Sequence, residues 1–190
     1  MDKVINLEKM DLHYWINELP KLEMNNVCEK VINIKGINKV LDDTLQVALE
    51  LSLHKHISSY AMLGFDYVPV KSFDSLIVRI NYYEENDINY LSQIRPNESC
   101  KYIHTGIDKF LSEVVAEKII ETSEKNSLPA GNLNFKVAAN CEISSSPFIF
   151  GIITKILLDI LRTIDKAKSS DKNYFDKLFI EAVLNSGMFT

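Results

Sequence analysis

The sequence predicts an α+β fold: a small mixed or antiparallel sheet with amphipathic helices packed mainly on one face. Three observations carry the prediction. The run from Leu133 to Ile143 alternates apolar and polar residues, the period of a half-buried strand. Ser144, Ser145, Ser146 and Pro147 then open an apolar helix, because serine suits the N-cap and proline the first helical position. Upstream, Ile107, Phe110, Leu111, Val114, Val115, Ile119 and Ile120 form the apolar stripe of a second helix.

The length, 190 residues, suits a single domain that can bury a core without metals. With 46% apolar and 25% charged residues, the composition is that of an ordinary globular chain. Within one domain, residues 1–25 read as an N-terminal helical segment, 26–165 as the α/β body and 170–187 as a C-terminal helix.

The elements follow in order. Leu12, Trp15, Ile16 and Leu19 recur at helical spacing, so a helix is predicted from Asp11 to Met24, broken by Pro20. Val31, Ile32 and Ile34 predict a strand over Cys28–Gly36. Val40, Leu41, Leu45, Ala48, Leu49 and Leu53 recur at three and four, which predicts a long helix from Ile37 to Ser58 with Asp42, Asp43 and Glu50 toward water. Gly64–Pro69 reads as a turn or short edge strand, and Asp74–Tyr83 as a strand. Glu84–Pro96 reads as a polar loop, and Ser99–His104 as a short strand. The helix after it opens at Thr105–Gly106, and Asn126–Gly131 is the turn that ends it. The capped helix runs to about Ile164, and a last helix covers Asp171–Leu184.

Charge and chemistry narrow the function classes. A net charge of −5 argues against nucleic acid, whose affinity comes from clustered Lys and Arg. The cluster Lys166–Lys168 with Lys172 is interrupted by acidic residues. Cys28, Cys100 and Cys141 are odd in number and far apart, so buried thiols in a reducing compartment are expected and a disulfide framework is not. MDKVINLEKMDLHYW lacks the apolar core of a secretory leader, so the expected location is cytoplasmic and the chain is expected to avoid membranes. No metal or cofactor motif is visible.

Each candidate site has a plainer reading beside it. Ser144, Ser145 and Ser146 could bind an anion at the helix N-terminus, but ordinary capping accounts for them. His54 and His56, two apart on the predicted helix, point away from each other and cannot share a metal. Cys100 and His104 would need a turn between them to act as nucleophile and base. Tyr67, Phe73, Tyr83 and Tyr90 with Glu84, Glu85 and Asp87 combine aromatic and acidic groups, the make-up of a partner-binding surface.

The pieces IVRINYYEEN, CKYIHTG, IDKFLSEVVAEKII, SLPAG, NLNFKVAANCEI and SSSPFIF succeed one another between Asp74 and Ile164. In that order they resemble the fourth domain of elongation-factor-G-like translational GTPases, which has the ribosomal protein S5 domain 2-like fold. The resemblance spans about half of the chain and implies a ribosome-associated role. The glycine-rich stretch ahead of the helix and any P-loop are missing.

No catalytic set is apparent, so the expected function is non-catalytic binding through protein–protein contact, of inhibitor, immunity or adaptor type. The expected partner is a protein, with a homodimer as a further assembly. The alternatives are an RNA- or ribosome-associated factor, or a small enzyme using Cys100 and His104 or the Ser144–Ser146 turn.

Overall fold

A computed structural model describes residues 1–23, 27–37, 43–56, 59–70, 74–83, 88–94, 100, 102–165 and 173–187. The chain runs β1 (Asp2–Asn6), β2 (Met10–Ile16), β3 (Val27–Lys35), β4 (Leu45–Leu53), β5 (Tyr60–Pro69), β6 (Ser75–Tyr83), β7 (Ile103–Thr105), α1 (Lys109–Lys125), β8 (Gly131–Cys141), α2 (Pro147–Thr163) and α3 (Tyr174–Leu184). Eight strands form one mixed sheet in the order β1-β2-β4-β5-β8-β6-β3, with β7 also paired to β8. Every pairing is antiparallel except β6 with β8. The single-domain α+β prediction holds, with a sheet larger than expected. Among the described residues, no helix is long and apolar enough to cross a membrane.

The two faces of the sheet are unequal. Leu12, Tyr14, Leu49, Leu63, Phe65, Val78, Leu133 and Phe135 point to the helix side and form one core with Ile119, Ile153, Leu157 and Phe179. The far face holds a smaller cluster without helical residues: Trp15, Ala48, Tyr60, Met62, Cys100, Ile103, Val137, Ala139 and Cys141.

Two predicted helices are strands. β2 is buried at every position, so its apolar residues fall on both faces and no clean two-residue period is visible. In β4, Leu45, Leu49 and Leu53 are four apart, a spacing that keeps one face in a helix and in a strand alike. Val47 and Leu51 break the tie in favour of the strand. Glu50, predicted to face water, is fully buried. Gly64–Pro69, read as a turn or short edge strand, is the end of the central ten-residue strand β5. Helix α1 starts later than predicted, capped by Asp108, whose carboxylate accepts the Leu111 amide at 2.7 Å.

Strand β8 keeps its predicted place but not its single buried face. The register with β5 shifts between Gly64 and Phe65, leaving Lys136 as an extra residue. Leu133 and Phe135 therefore face the helices, while Val137, Ala139 and Cys141 face the other way. Ile143 lies beyond the strand and is exposed. A side chain at Gly64 would collide with Ala48 and Val137 at 2.5 Å, so the bulge needs glycine opposite it.

The expected free thiols are also corrected. Cys100 and Cys141 form a disulfide, their Cα atoms 5.8 Å apart; Cys28 is free. A sequence separation of 41 hides a pairing that the antiparallel β7–β8 ladder creates. Closing a loop of that length is worth about 2–4 kcal/mol. Reducing the bond, or the Cys100→Ser variant, should lower stability by that amount, read as a fall in the denaturant midpoint with a steeper unfolding slope, because the chain without the cross-link exposes more surface when unfolded.

α3 docks on the β1–β2 hairpin through Asp176, which accepts from Lys3 and from the Tyr14 hydroxyl at 2.7 Å. Burial pushes the Asp176 carboxyl up, but the two donors outweigh it and hold it below its ordinary value. A depressed carboxyl contributes stability above its unfolded pKa that is lost as pH falls through the folded one. Asp176→Asn should cost about 1 kcal/mol at pH 7 and progressively less as pH falls below the ordinary aspartate range, measured by thermal unfolding at successively lower pH.

Candidate functional site

Most predicted site residues serve the fold. Tyr67 is fully buried, its hydroxyl donating to the Ala130 carbonyl at 2.6 Å. Tyr83 is 3% exposed because its ring lies against Gly106, which has φ +86° and no room for a Cβ. Neither offers a surface to a partner. Tyr90 is partly buried. Phe73, Glu84, Glu85 and Asp87 lie outside the described residues, as do Lys166–Lys168 and Lys172.

The serine turn ties strand ends together. The Ser145 hydroxyl donates to the Tyr60 carbonyl at 2.7 Å and accepts the Cys141 amide at 2.8 Å. The Ser144 carbonyl accepts the Ser59 amide. Ser146 is the N-cap of α2 and Pro147 opens the helix as predicted, yet the Ser146 hydroxyl caps no amide. Cys100, bonded to Cys141, has no thiol to act as a nucleophile beside His104. His54 is in a turn and not a helix: its Nε2 lies 3.1 Å from Asp11, which raises its pKa.

A buried polar cluster on the far face brings together residues that the sequence left unmarked. Glu50 and His13, paired across β4 and β2, are 0% exposed. The Tyr60 hydroxyl donates to Glu50 Oε1 at 2.7 Å, and Tyr90 packs against the apolar cluster beside them. His13 Nδ1 is 3.4 Å from Glu50 Oε2, and its Nε2 is 3.4 Å from Asp2. Burial raises both phenols well above their usual range, with Glu50 adding to the rise. A buried carboxylate is tolerated only when hydrogen-bonded. Here the Tyr60 phenol supplies one bond, while Glu50 Oε2 and His13 Nδ1, 3.4 Å apart, are buried without a hydrogen-bond partner among the described residues. The cluster joins β2, β4, β5 and the segment around Tyr90. A charged residue at the centre of an alternating strand was the available signal.

The exposed feature is a groove of about 550 Å³ between α1 and α2. Val114, Phe148, Gly151 and Ile152 supply apolar surface, and Phe148 is 50% exposed. Along its α1 rim, Lys118 and Lys125 both donate to Glu121, and these bonds pull the Glu121 carboxyl down to about 2. The rim thus keeps its alternating charges throughout the physiological pH range. On the α2 side, Asp159 receives Arg162 at 3.2 Å, and Lys155 donates to the Ser186 carbonyl at the end of α3.

Tyr60→Phe should cost about 1–3 kcal/mol, because it leaves a buried carboxyl oxygen without its donor. Chemical denaturation measures it, and an unchanged midpoint would contradict a tightly coupled cluster.

Comparison with protein-family models, with curated proteins and with solved structures finds no match to this chain.

Proposed function

We propose that the chain is a non-catalytic binding protein working through protein–protein contact, of inhibitor, immunity or adaptor type, and that its partner sits in the α1–α2 groove. The observation that carries this reading is the groove itself: apolar side chains left open beside a fixed ladder of charges. That pairing of apolar anchor and polar rim is the anatomy of a protein interface. The groove is preferred to the aromatic and acidic set around Tyr67–Tyr90 as the binding face, since Tyr67 and Tyr83 are buried. The buried Glu50 cluster supports a non-catalytic reading, because a general base must reach a substrate.

Gly151 allows a clean test. Gly151 is buried, but a Cβ there meets only Lys118 Cε, at 3.4 Å, so a larger side chain starts out on the groove side of α2. Replacing a mid-helix glycine also favours the helix by about 0.5–1 kcal/mol. Gly151→Arg should therefore melt no lower than the parent chain while losing the protein that the parent captures from its native source. Equal recovery of that protein by both chains would refute the groove as the site.

Location and the ribosomal alternative each have their own measurement. The sequence points to the cytoplasm, whereas the Cys100–Cys141 bond favours an oxidising compartment. Alkylation of the freshly isolated protein, followed by mass spectrometry, decides between them. The RNA- or ribosome-associated alternative rests on the order of pieces from Asp74 to Ile164. It requires salt-sensitive binding to ribosomal RNA.

A further inference from the structure

Strand β3 ends the sheet as a nine-residue edge in unbroken antiparallel register with β6 and contains no proline. Its backbone polarity can be read from its neighbours. The Gly36 amide donates to the Asp74 carbonyl at 2.9 Å, continuing the β3–β6 register, so the even-numbered residues of β3 exchange bonds with β6. On the other side of β6, the Tyr83 amide donates to Ile107, which fixes the same alternation independently. Val27, Glu29, Val31, Asn33 and Lys35 therefore turn their N–H and C=O groups outward. Among the described residues no hydrogen bond reaches these groups. Val27 and Val31 are 44% and 55% exposed.

An open edge of this length is a template for another strand. The side chains select the occupant. Paired antiparallel with itself about Ile32, β3 sets Glu29 opposite Lys35 of the second copy, and Lys35 opposite its Glu29. Val31 then faces Asn33, and Ile32 faces its own copy. Centring one residue earlier, on Val31, loses both charge pairs. Centring on Lys30 sets like charges against each other, which is unfavourable. The flank of α1 adds apolar surface along this edge. Glu113 ion-pairs with Lys30 of β3 at 3.8 Å, and Ile120, two turns further along the same side of α1, is 41% exposed.

We propose that the protein forms a two-fold homodimer in which β3 pairs antiparallel with β3 of a second copy, centred on Ile32, so that the two sheets become one. The interface is isologous, as a closed dimer requires, and leaves the α1–α2 groove free in both copies. It does not rest on the groove reading.

Sedimentation equilibrium between roughly 1 and 100 µM tests the proposal. The parent chain is expected to show twice the mass of one chain. Val31→Pro removes an outward N–H and no bond to β6, so it should leave the circular dichroism unchanged and give the mass of one chain. Glu29→Lys should weaken the dimer about tenfold, since symmetry converts two attractive pairs into two repulsive ones. The swap Glu29→Lys with Lys35→Glu should restore it. A parent chain that stays single at the highest concentration overturns the proposal. So does a dimer indifferent to Glu29→Lys and Val31→Pro, because it would use another face. If the swap fails to restore the dimer, and Lys35→Glu, which leaves the 3.7 Å Glu29–Arg79 pair of each copy in place, does not weaken it, the Ile32-centred register is wrong.

Discussion

The one-residue bulge in β8 is the constraint on which most of the structure depends. In a regular strand, Leu133, Phe135, Val137, Ala139 and Cys141 would share a face. The extra residue at Lys136 divides them: the first two fill the helix-side core and the last three build the far-face cluster. Only in this arrangement does Cys141 meet Cys100. β8 is also the strand with most partners, bonded to β5 along one side and to β6 and β7 along the other. Gly64, opposite the bulge, is the small residue that allows the crowding.

The far face is built on this division. Its apolar cluster is small, and the Glu50 carboxylate beside it stays buried because the Tyr90 segment covers it. Backbone bonds from Tyr90 to Ile103 and from Thr105 to Ile88 tie that segment to β7, and the disulfide ties Cys100 to β8. Covalent and hydrogen-bond restraints here do what bulk apolar burial does on the helix side. The chemically richest residues of the chain thus become structural, because the covering segment closes them off.

Surface features carry the functional argument instead, and they lie apart. The groove between α1 and α2 offers apolar side chains with a charged rim, while the β3 edge offers backbone left unpaired among the described residues. The first suits a partner's side chains and the second suits a strand. One sheet can present both because its helices leave β3 only lightly covered, with Ile32 and Ile34 only partly buried against the core.

From sequence alone, the α+β class, α1, α2, α3, β3, β6 and the position of β8 could be determined. In these elements one period dominates the pattern, and β8 keeps its alternation on either side of the bulge. The strands β2 and β5 could not be read this way, and β4, although it alternates, shares the four-residue spacing of a helix. Their two faces are both buried, and residues four apart keep one face in either conformation. The candidate site was less legible still. Tyr67 and Tyr83 look like surface aromatics until the sheet closes over them, and Glu50 looks solvated until Tyr60 and Tyr90 arrive from elsewhere in the chain. Only the tertiary structure decided the disulfide, the buried cluster, the groove and the free edge. Each is a contact, or a missing contact, between residues far apart in sequence, and no local period records it.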